Sequence, residues 1–395
     1  MKKLRIIVGG YLGLLPAGGV TWDYVQYLLG FAELGHDVFY IEDTRLYPIF
    51  QKAGSDWNDS SSCVGHLRAV MEFFGMPERW AYRDEASGKC FGLAEEKVEA
   101  IARTADVFVN ISCSTFLRDE YRRIPARVLI DTDPMFTQIQ YISQQMFTPG
   151  ESRLRETINA HNYLFTFGEN IGAVDCRIPT CGLNWRTTRQ PICLDYWKAT
   201  SPNKNGALTT LMNWSANKNI VYDGEEWGQK DVEFGKIIKL PKFVPETKLG
   251  VAVNQTGNTG RDAFPFDEVK RNGWEVLNPN VCAENCADYQ KFIENSLGEF
   301  SVAKETYVKG RTGWFSCRSA CYLAAGRSVI TQETGWSKFI PTGAGLFAFD
   351  NQQDAIEAIQ QVTSEPEKHS RAARRIAEEY FDSRKVLGVM LEQLT

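Results

Sequence analysis

Short uninterrupted apolar runs alternate along this chain with longer segments in which apolar residues recur every three or four positions. At the start, the runs Leu4–Val8 and Val38–Ile41 flank such a periodic segment from about Val20 to Leu34. Apolar runs of four or five residues are typical of parallel strands buried on both faces, and the longer period is that of a helix. The pattern therefore predicts a βαβ unit at the beginning of the chain.

The same alternation continues through most of the sequence. It predicts further strands at Val107–Ile111, Val128–Ile130, Tyr163–Phe167, Leu208–Met212, Leu249–Val253, Gly273–Leu277 and 300–304. Residues 50–100 are polar and interrupted, and they predict only two helices, near 62–75 and 93–104. Asp223-Gly224 has the composition of a tight hairpin turn. The chain as a whole has the pattern of an α/β protein.

One stretch interrupts this alternation. Between Pro179 and Pro202 the chain has several prolines and little periodicity, which is typical of a connection. Because 395 residues exceed what one hydrophobic core usually serves, we expect two domains. We place the first at 1–200 and the second at 201–375, followed by a C-terminal helix over 376–395.

Composition narrows the class of protein. The net charge of −5 provides no general attraction to nucleic acid or anionic membranes, although a local basic groove is compatible with it. No secretory signal precedes the ten cysteines, and no apolar run reaches the roughly 18 residues of a membrane span. We therefore expect a cytoplasmic protein with reduced thiols and no stable membrane anchor. The pairs Cys282/Cys286 and Cys317/Cys321 lack nearby histidines, so small buried residues explain them better than zinc ligands do.

The stretch 310–341 carries the strongest chemical signal. Ser316 stands where a helix N-cap is expected and Gly326 where a left-handed C-terminal cap is expected. The N-terminus of such a helix binds phosphate through its free N–H groups and its dipole, and Arg318 adds a charge at the same place. A phosphate site and an ordinary capped helix are both compatible with these residues.

This stretch resembles the donor-binding region of glycosyltransferases with the two-domain GT-B fold. The matching positions are Ala324, Gly326, Val329, Ile330, Glu333, Thr334 and Gly335. Two positions depart from the motif. Cys321, or Ser319 on the other alignment, replaces the carboxylate that binds the donor ribose, and Ser328 replaces the usual proline.

The resemblance implies two Rossmann-like domains that face each other across a cleft, with the C-terminal helix crossing back to the first domain. It also implies that the second domain binds a nucleoside-diphosphate sugar, such as a UDP-sugar, and the first domain binds the acceptor. The expected donor-binding residues are Asn213, Trp214, Lys304, Ser316, Arg318, Glu333, Thr334 and Gly335. The expected acceptor-binding residues are Gly18, Gly19 and Trp22.

An inverting transfer needs a base on the acceptor hydroxyl, and a retaining one does not. The candidates for this catalytic base are Asp23, expected in the first turn of the first helix, and Asp133. In the sequence Asp131-Thr132-Asp133 we expect one carboxylate to reach the cleft and the other to form a turn ahead of Pro134. The spacing matches a metal-binding D-x-D motif, but its place in the first domain favours a reaction without a metal cofactor.

We therefore expect a metal-independent glycosyltransferase of the hexosyltransferase type. The acceptor is open among a small molecule, a glycan and a modified DNA base. Two other functions are compatible with the same fold. One is a nucleotide-sugar epimerase, and the other is a non-catalytic sugar-nucleotide-binding protein, which the missing ribose carboxylate favours.

Overall fold

The structure is a computed structural model that describes residues 2–48, 58–143, 149–215, 219–254 and 263–394. Within these residues the chain forms two separate, largely parallel β-sheets with helices packed against them. Strands of the first sheet end at Thr187 and those of the second begin at Leu208, so the change of sheet falls within the proline-rich connection.

The first sheet has eight strands in the order β4-β3-β2-β1-β5-β6-β7-β8, parallel except for the β3–β4 pair. Its strands are β1 (Arg5–Gly9), β2 (Asp37–Glu42), β3 (Trp80–Arg83), β4 (Cys90–Gly92), β5 (Val107–Ile111), β6 (Ala126–Asp131), β7 (Tyr163–Thr166) and β8 (Trp185–Thr187).

Three of these strands were not predicted. We expected no strand within 50–100, but β3 and β4 lie there, and β8 lies in the stretch that we interpreted as a connection. In β3 all four residues are buried, including Arg83, whose charge is balanced by Asp43, Glu95 and Glu120. A short strand that contains a buried arginine does not form an apolar run in the sequence. The burial of the arginine depends on ion pairs with residues of other elements, which the local sequence does not show.

The second sheet has the order β13-β12-β9-β14-β15-β16 and is parallel throughout, while β10 and β11 form the predicted hairpin at Asp223-Gly224. Its strands and the hairpin are β9 (Leu208–Asn213), β10 (Ile220–Tyr222), β11 (Glu225–Trp227), β12 (Leu249–Asn254), β13 (Glu275–Leu277), β14 (Gly298–Ser301), β15 (Ser328–Gln332) and β16 (Leu346–Phe349).

The helices alternate with these strands. They are α1 (Gly18–Glu33), α2 (Ser61–Phe73), α3 (Glu95–Thr104), α4 (Asp119–Arg122), α5 (Phe136–Ile142), α6 (Pro149–Asn159), α7 (Lys230–Ile237), α8 (Phe266–Arg271), α9 (Pro279–Ala283), α10 (Cys286–Asn295), α11 (Glu305–Lys309), α12 (Cys317–Ala324), α13 (Gln352–Ser364), α14 (Pro366–Ile376) and α15 (Ser383–Glu392). None of the helices in the described ranges is long and apolar enough to cross a membrane.

Each sheet has one point at which the strand order reverses. In the first sheet, β1 lies between β2 and β5, and in the second sheet β9 lies between β12 and β14. The loops that leave the two central strands diverge there, which opens a crevice at the carboxyl edge of the sheet, and open α/β sheets bind their ligands in this crevice. The fold therefore provides one candidate crevice in each domain.

The C-terminal segment is divided, although its sequence predicts one continuous helix. α14 passes into a π-helical turn at Ala377–Phe381, and Asp382 then caps α15 by accepting a hydrogen bond from the Arg384 N–H at 3.0 Å. This break turns the chain so that α15 lies against α1 of the first domain, close to Gly30. The helix therefore crosses back to the first domain.

The two domains are in close contact along α1. The Trp22 indole donates to the Cys286 carbonyl of α10 at 3.0 Å, and one apolar cluster extends from β1 through α1 to α10 and α12. Lys338 of the second domain also pairs with Asp175 of the first at 2.6 Å. The structure is thus a closed arrangement of the two sheets.

Candidate active site

Asp131, at the end of β6, is a structural residue. It is fully buried, and its carboxylate accepts hydrogen bonds from the side chains of Thr137 at 2.6 Å, Gln138 at 2.7 Å and Thr166 at 2.8 Å. These donors belong to α5 and β7, so the carboxylate ties both elements to the β6 turn. The carboxylate also accepts a hydrogen bond from the Asp133 N–H at 3.1 Å, which confirms the expectation that one aspartate of this motif forms a turn.

Asp133 instead reaches across to the second domain. Its Oδ1 lies 2.6 Å from the Lys304 Nζ and accepts a hydrogen bond from the Tyr307 hydroxyl. Burial alone would raise the pKa of Asp133, but the charge of Lys304 and the Tyr307 hydrogen bond lower it below the ordinary value. Asp133 is therefore ionised at neutral pH and joins the domains.

Asp23 faces the same region from α1. Its carboxylate keeps access to solvent although protein atoms surround it densely. Burial raises the pKa of Asp23 to about 6. A hydrogen bond from Cys317 and the charge of Arg318 act to lower this pKa, whereas the charge of Asp133 adds to the rise. Because α1 begins at Gly18, Asp23 lies in the second turn, where the helix dipole is weak. The expected first-turn position is therefore wrong.

Lys230 is the most unusual cation of the site. It is the first residue of α7, is 8% exposed, and its ammonium group pairs with no acceptor among the described residues. Burial, together with the nearby charges of Arg318 and Lys304, lowers the pKa of Lys230 well below its ordinary value. A buried ammonium without a partner is costly, and an anion bound beside it would offset that cost.

The sequence contained a signal for Lys230 that we did not use. A lysine in the first turn of a helix opposes the helix dipole, which favours negative charge at that end. Such a residue is stabilised only if a ligand or a carboxylate neutralises it. The first-turn lysine at the start of α7 was thus a reason to include Lys230 among the donor-binding residues.

Arg318 is held by its own domain. Its Nε lies 2.5 Å from Glu299 Oε1, and its Nη1 donates to the Leu211 carbonyl at 2.6 Å. Glu299 is fully buried on β14, and Arg318 is 11% exposed. The guanidinium therefore compensates a buried carboxylate, and its predicted contact with the donor phosphate stays a prediction.

Replacing Arg318 by alanine should lower the free energy of unfolding by about 3–5 kcal/mol, because the change leaves the Glu299 carboxylate buried without its partner. Urea denaturation measures this loss. Adding Glu299→Gln to the same variant should restore most of it, since the remaining amide carries no charge. If the single variant is as stable as the unchanged protein, the ion pair has no structural role.

The predicted helix at 317–324 is present, but its N-cap differs in one detail. Ser316 has the extended backbone of an N-cap residue, yet its hydroxyl makes no capping hydrogen bond. Gly326 has the expected left-handed conformation, with φ of +70°. The ribose positions Ser319 and Cys321 are both fully buried inside α12. The helix is therefore as predicted, and a ribose contact from either of these side chains is not available.

The loop Glu333-Thr334-Gly335 is built by its own hydrogen bonds. The Glu333 carboxylate accepts from the Gly335 N–H, and the Thr334 hydroxyl donates to the Trp314 carbonyl at 2.7 Å. Gly335 has φ of +101°, and a Cβ there would lie 3.1 Å from the Arg311 carbonyl oxygen. Glycine is required at this position, while sugar binding by the loop stays a prediction.

Asn213 and Trp214 have different surroundings. Asn213 ends β9, at the reversal point of the second sheet, and is exposed. Trp214 is 6% exposed and packs edge to face on Phe264, with ring centroids 5.0 Å apart. Asn213 is therefore placed where a donor contact is geometrically available, whereas Trp214 belongs to the core of its domain.

The three residues expected to bind the acceptor lie at the domain contact. A Cβ on Gly18 would come within 2.2 Å of the Asn285 carbonyl oxygen, and one on Gly19 within 3.2 Å of the Tyr289 ring. Trp22 is 1% exposed, and its ring centroid lies 4.8 Å from that of Trp197, with the two rings tilted by 53°. Their contacts give all three a packing role in this closed arrangement, and acceptor binding by them stays a prediction.

The site thus brings together two cations, Lys230 and Lys304, and two carboxylates, Asp23 and Asp133. The environments of the carboxylates move their pKa values in opposite directions, which is the usual condition for a division of labour between two acids. Within the described ranges no cluster of three or more histidine, cysteine, aspartate or glutamate side chains is arranged to hold a metal ion.

Searches of the sequence against models of known families and against curated proteins find no match. Comparison with solved structures does find full-length matches. An α-glucosyltransferase in complex with UDP-glucose and DNA containing an abasic site covers 100% of both chains, with a TM-score of 0.53 and 12% identity.

Two further matches have the same extent. Anabaena Alr3699/HepE in complex with UDP and glucose covers 99% of both chains, with a TM-score of 0.54 and 12% identity. AviGT4, a glycosyltransferase involved in avilamycin A biosynthesis, covers 99% of this chain and 97% of its own, with a TM-score of 0.53 and 12% identity. The chain therefore has the two-domain GT-B fold that these glycosyltransferases share.

Proposed function

We propose that this protein transfers a sugar from a nucleoside-diphosphate sugar to a hydroxyl group of an acceptor. The observation that carries the proposal is the Lys230 side chain, which is 8% exposed, has no anionic partner among the described residues and lies near Asp133 and Lys304. The full-length likeness to glycosyltransferases, two of which are complexed with UDP or UDP-glucose, supports the same class of ligand.

In the proposed reaction, the bond between the sugar C1 and the oxygen of the β-phosphate breaks, and its electron pair leaves with the diphosphate. The acceptor oxygen forms the new bond to C1 and loses its proton. Asp23 is suited to take this proton, because its pKa of about 6 leaves it ionised yet basic at neutral pH. Asp133, with its lowered pKa, is the weaker base of the two.

The leaving diphosphate needs positive charge. Lys230 supplies it from a site that excludes most water, where a charge interaction is stronger than at the surface. Lys304 becomes a second donor if it exchanges Asp133 for the diphosphate. With these cations supplied by the chain itself, we propose that the transfer is metal-independent. The acceptor remains a small molecule, a glycan or a modified DNA base.

A thermal-shift panel of UDP, GDP, dTDP, ADP and CMP sugars tests the donor class. A ligand present at 100 times its dissociation constant should add about 2.7 kcal/mol to the free energy of unfolding. We expect one nucleotide to stabilise the protein strongly and the others weakly. No stabilisation by any member of the panel would refute the proposal.

The stabilising donor then separates the three functions considered for this fold. A glycosyltransferase releases the nucleoside diphosphate only when an acceptor is present, apart from slow hydrolysis. An epimerase converts the sugar nucleotide without an acceptor, and a binding protein leaves it unchanged over long incubation. Chromatography of the sugar nucleotide with and without an acceptor library distinguishes these outcomes.

A further inference from the structure

The crevice of the first domain has no role in the donor chemistry described above. It is a cavity of about 330 Å³ at the carboxyl edge of the first sheet, between the loops that follow β2 and β5. This edge is the one at which β6 presents Asp133. We call it the Phe116 pocket, and its lining consists of Arg45, Phe116, Leu117, Arg118, Asp119, Glu120 and Arg122.

Arginines surround the aromatic ring at the centre of this pocket. The Cζ atom of Arg45 lies 4.8 Å from the Phe116 ring centroid, and those of Arg122 and Arg153 each lie 5.9 Å from it. Arg118 lines the same cavity. Guanidinium groups that lie close together repel one another, and among these four arginines only Arg118 is paired with a carboxylate of the described residues, Asp43.

Two carboxylates near the pocket are already engaged by Arg83 and Arg118. Asp43 accepts from Arg118 through Nε at 2.6 Å and Nη2 at 3.0 Å, and it also pairs with Arg83 at 2.9 Å. Glu120 pairs with the same Arg83 at 2.7 Å. Asp119 is exposed in the first turn of α4. The carboxylates near the pocket therefore serve mainly Arg83 and Arg118.

Unlike Arg118, Arg45 has no carboxylate partner among the described residues. Its Nε is buried and has no hydrogen-bond partner, and its guanidinium forms no ion pair with any residue in the described ranges. Its backbone has φ of +53°, a left-handed conformation that is unfavourable for a residue with a side chain. A half-buried arginine whose Nε has no hydrogen-bond acceptor is unfavourable, and a bound anion would accept that hydrogen bond.

We propose that the Phe116 pocket binds the phosphate group of a phosphate monoester, and that this group belongs to the acceptor. Guanidinium forks match phosphate oxygens in pairs, and a monoester phosphate presents three of them in a volume that this pocket can hold. The arginines around Phe116 form a compact cluster, whereas a nucleic-acid backbone requires a long basic track. The net charge of −5 adds no general attraction to nucleic acid. The acceptor role rests on the proposed transferase function, whereas the phosphate site does not.

The test is titration of inorganic phosphate by calorimetry in a Lys230→Met background, where the donor site is disabled. Arg45→Gln should weaken phosphate binding by about tenfold or more, because it removes a charge-assisted contact. Arg153→Gln should weaken it as well, through a residue on a different element. Arg123→Gln, an exposed arginine at the end of α4 that does not line the pocket, is the matched control and should bind phosphate normally.

Three results would overturn the proposal. One is the absence of phosphate binding throughout the millimolar range, and another is an equal effect of Arg45→Gln and Arg123→Gln. The third is that a single-stranded oligonucleotide binds in an Arg45-dependent way while inorganic phosphate does not bind. If salt steeply weakens that binding, the pocket is assigned to nucleic acid.

The two proposals fail separately. UDP binding to the protein with Lys230 intact should be the same with and without Arg45→Gln. If UDP does not bind but phosphate binding depends on Arg45, the donor proposal falls and the phosphate site stands. If UDP binds and phosphate does not, the site falls and the donor proposal stands. Circular dichroism of each variant checks that it is folded.

Discussion

Replacing Asp23 by asparagine should lower kcat for sugar transfer by about 10²–10⁴-fold, the usual contribution of a positioned base. In the unchanged protein, kcat/KM should rise with pH up to about 6 and then level, because the pKa of Asp23 is raised to about 6. The variant should lose this rise. Values of kcat/KM measured from about pH 4.5 to about pH 8.5 cover both the decrease on the acid side and the level region, and they would show whether the variant has lost the rise.

Protein stability provides the control for this variant. The pKa of Asp23 is higher in the folded chain than in the unfolded one. The free energy of unfolding therefore decreases as pH rises from the unfolded-state pKa of Asp23 through its folded-state pKa. Asparagine removes this cost, and the variant should be at least as stable as the unchanged protein at neutral pH. Loss of activity in Asp23→Asn therefore cannot be attributed to unfolding.

Asp133→Asn distinguishes the two carboxylates. The charge of Asp133 contributes to the raised pKa of Asp23, so its removal should move the midpoint of the pH profile to lower pH and keep the profile itself. Disappearance of the profile in Asp133→Asn would reverse the assignment of the base. Transfer by Asp23→Asn within tenfold of normal, with retained configuration at C1, would show that the reaction needs no base of this kind.

Replacing Lys230 by methionine should lower kcat/KM for the donor by about 10²–10³-fold, since it removes a buried group that stabilises the charge of the leaving diphosphate. Methionine preserves most of the aliphatic volume, so stability should change little or rise, because an unpaired buried ammonium is lost. UDP affinity should fall in parallel, and calorimetry measures it directly.

Proton uptake adds a signature that simple loss of packing would not produce. Burial lowers the pKa of Lys230, and a bound diphosphate favours the charged form, so proton uptake on UDP binding should increase as pH rises through the pKa of Lys230 in the free protein. The heat of UDP binding should then depend on the ionisation enthalpy of the buffer in the unchanged protein and not in Lys230→Met. Lys242→Met, an exposed lysine of the same domain, is the control. Equal UDP affinity in both variants would remove Lys230 from the donor site.

Most regular elements were predictable because local patterns specify them. The strand Val107–Ile111 was predicted with its observed ends, and the hairpin at Asp223-Gly224 formed where its turn residues require it. The strand predicted at 300–304 instead covers Gly298–Ser301, which places Lys304 in the loop before α11. Errors of this size arise where a strand end carries mixed residues and the tertiary contacts set its limit.

The candidate site was less predictable because its residues come from distant parts of the chain. Asp133 and Lys304 were both named from the sequence, but nothing local indicated that they pair with each other across 171 positions. Trp22 and Trp214 were interpreted as ligand-facing aromatics and are buried in the structure. An aromatic residue beside a glycine-rich loop has the same local sequence in either role.

The stretch 310–341 shows where the limit lies. Its glycines, the N-cap position of Ser316 and the helix between them follow from backbone preferences of single residues, and the prediction of a nucleotide-sugar ligand was based on them. The roles of the charged side chains were decided by folding. Burial gave Arg318 a carboxylate partner, left Lys230 with none, and raised the pKa of Asp23, because desolvation depends on neighbours that only the closed pair of domains supplies.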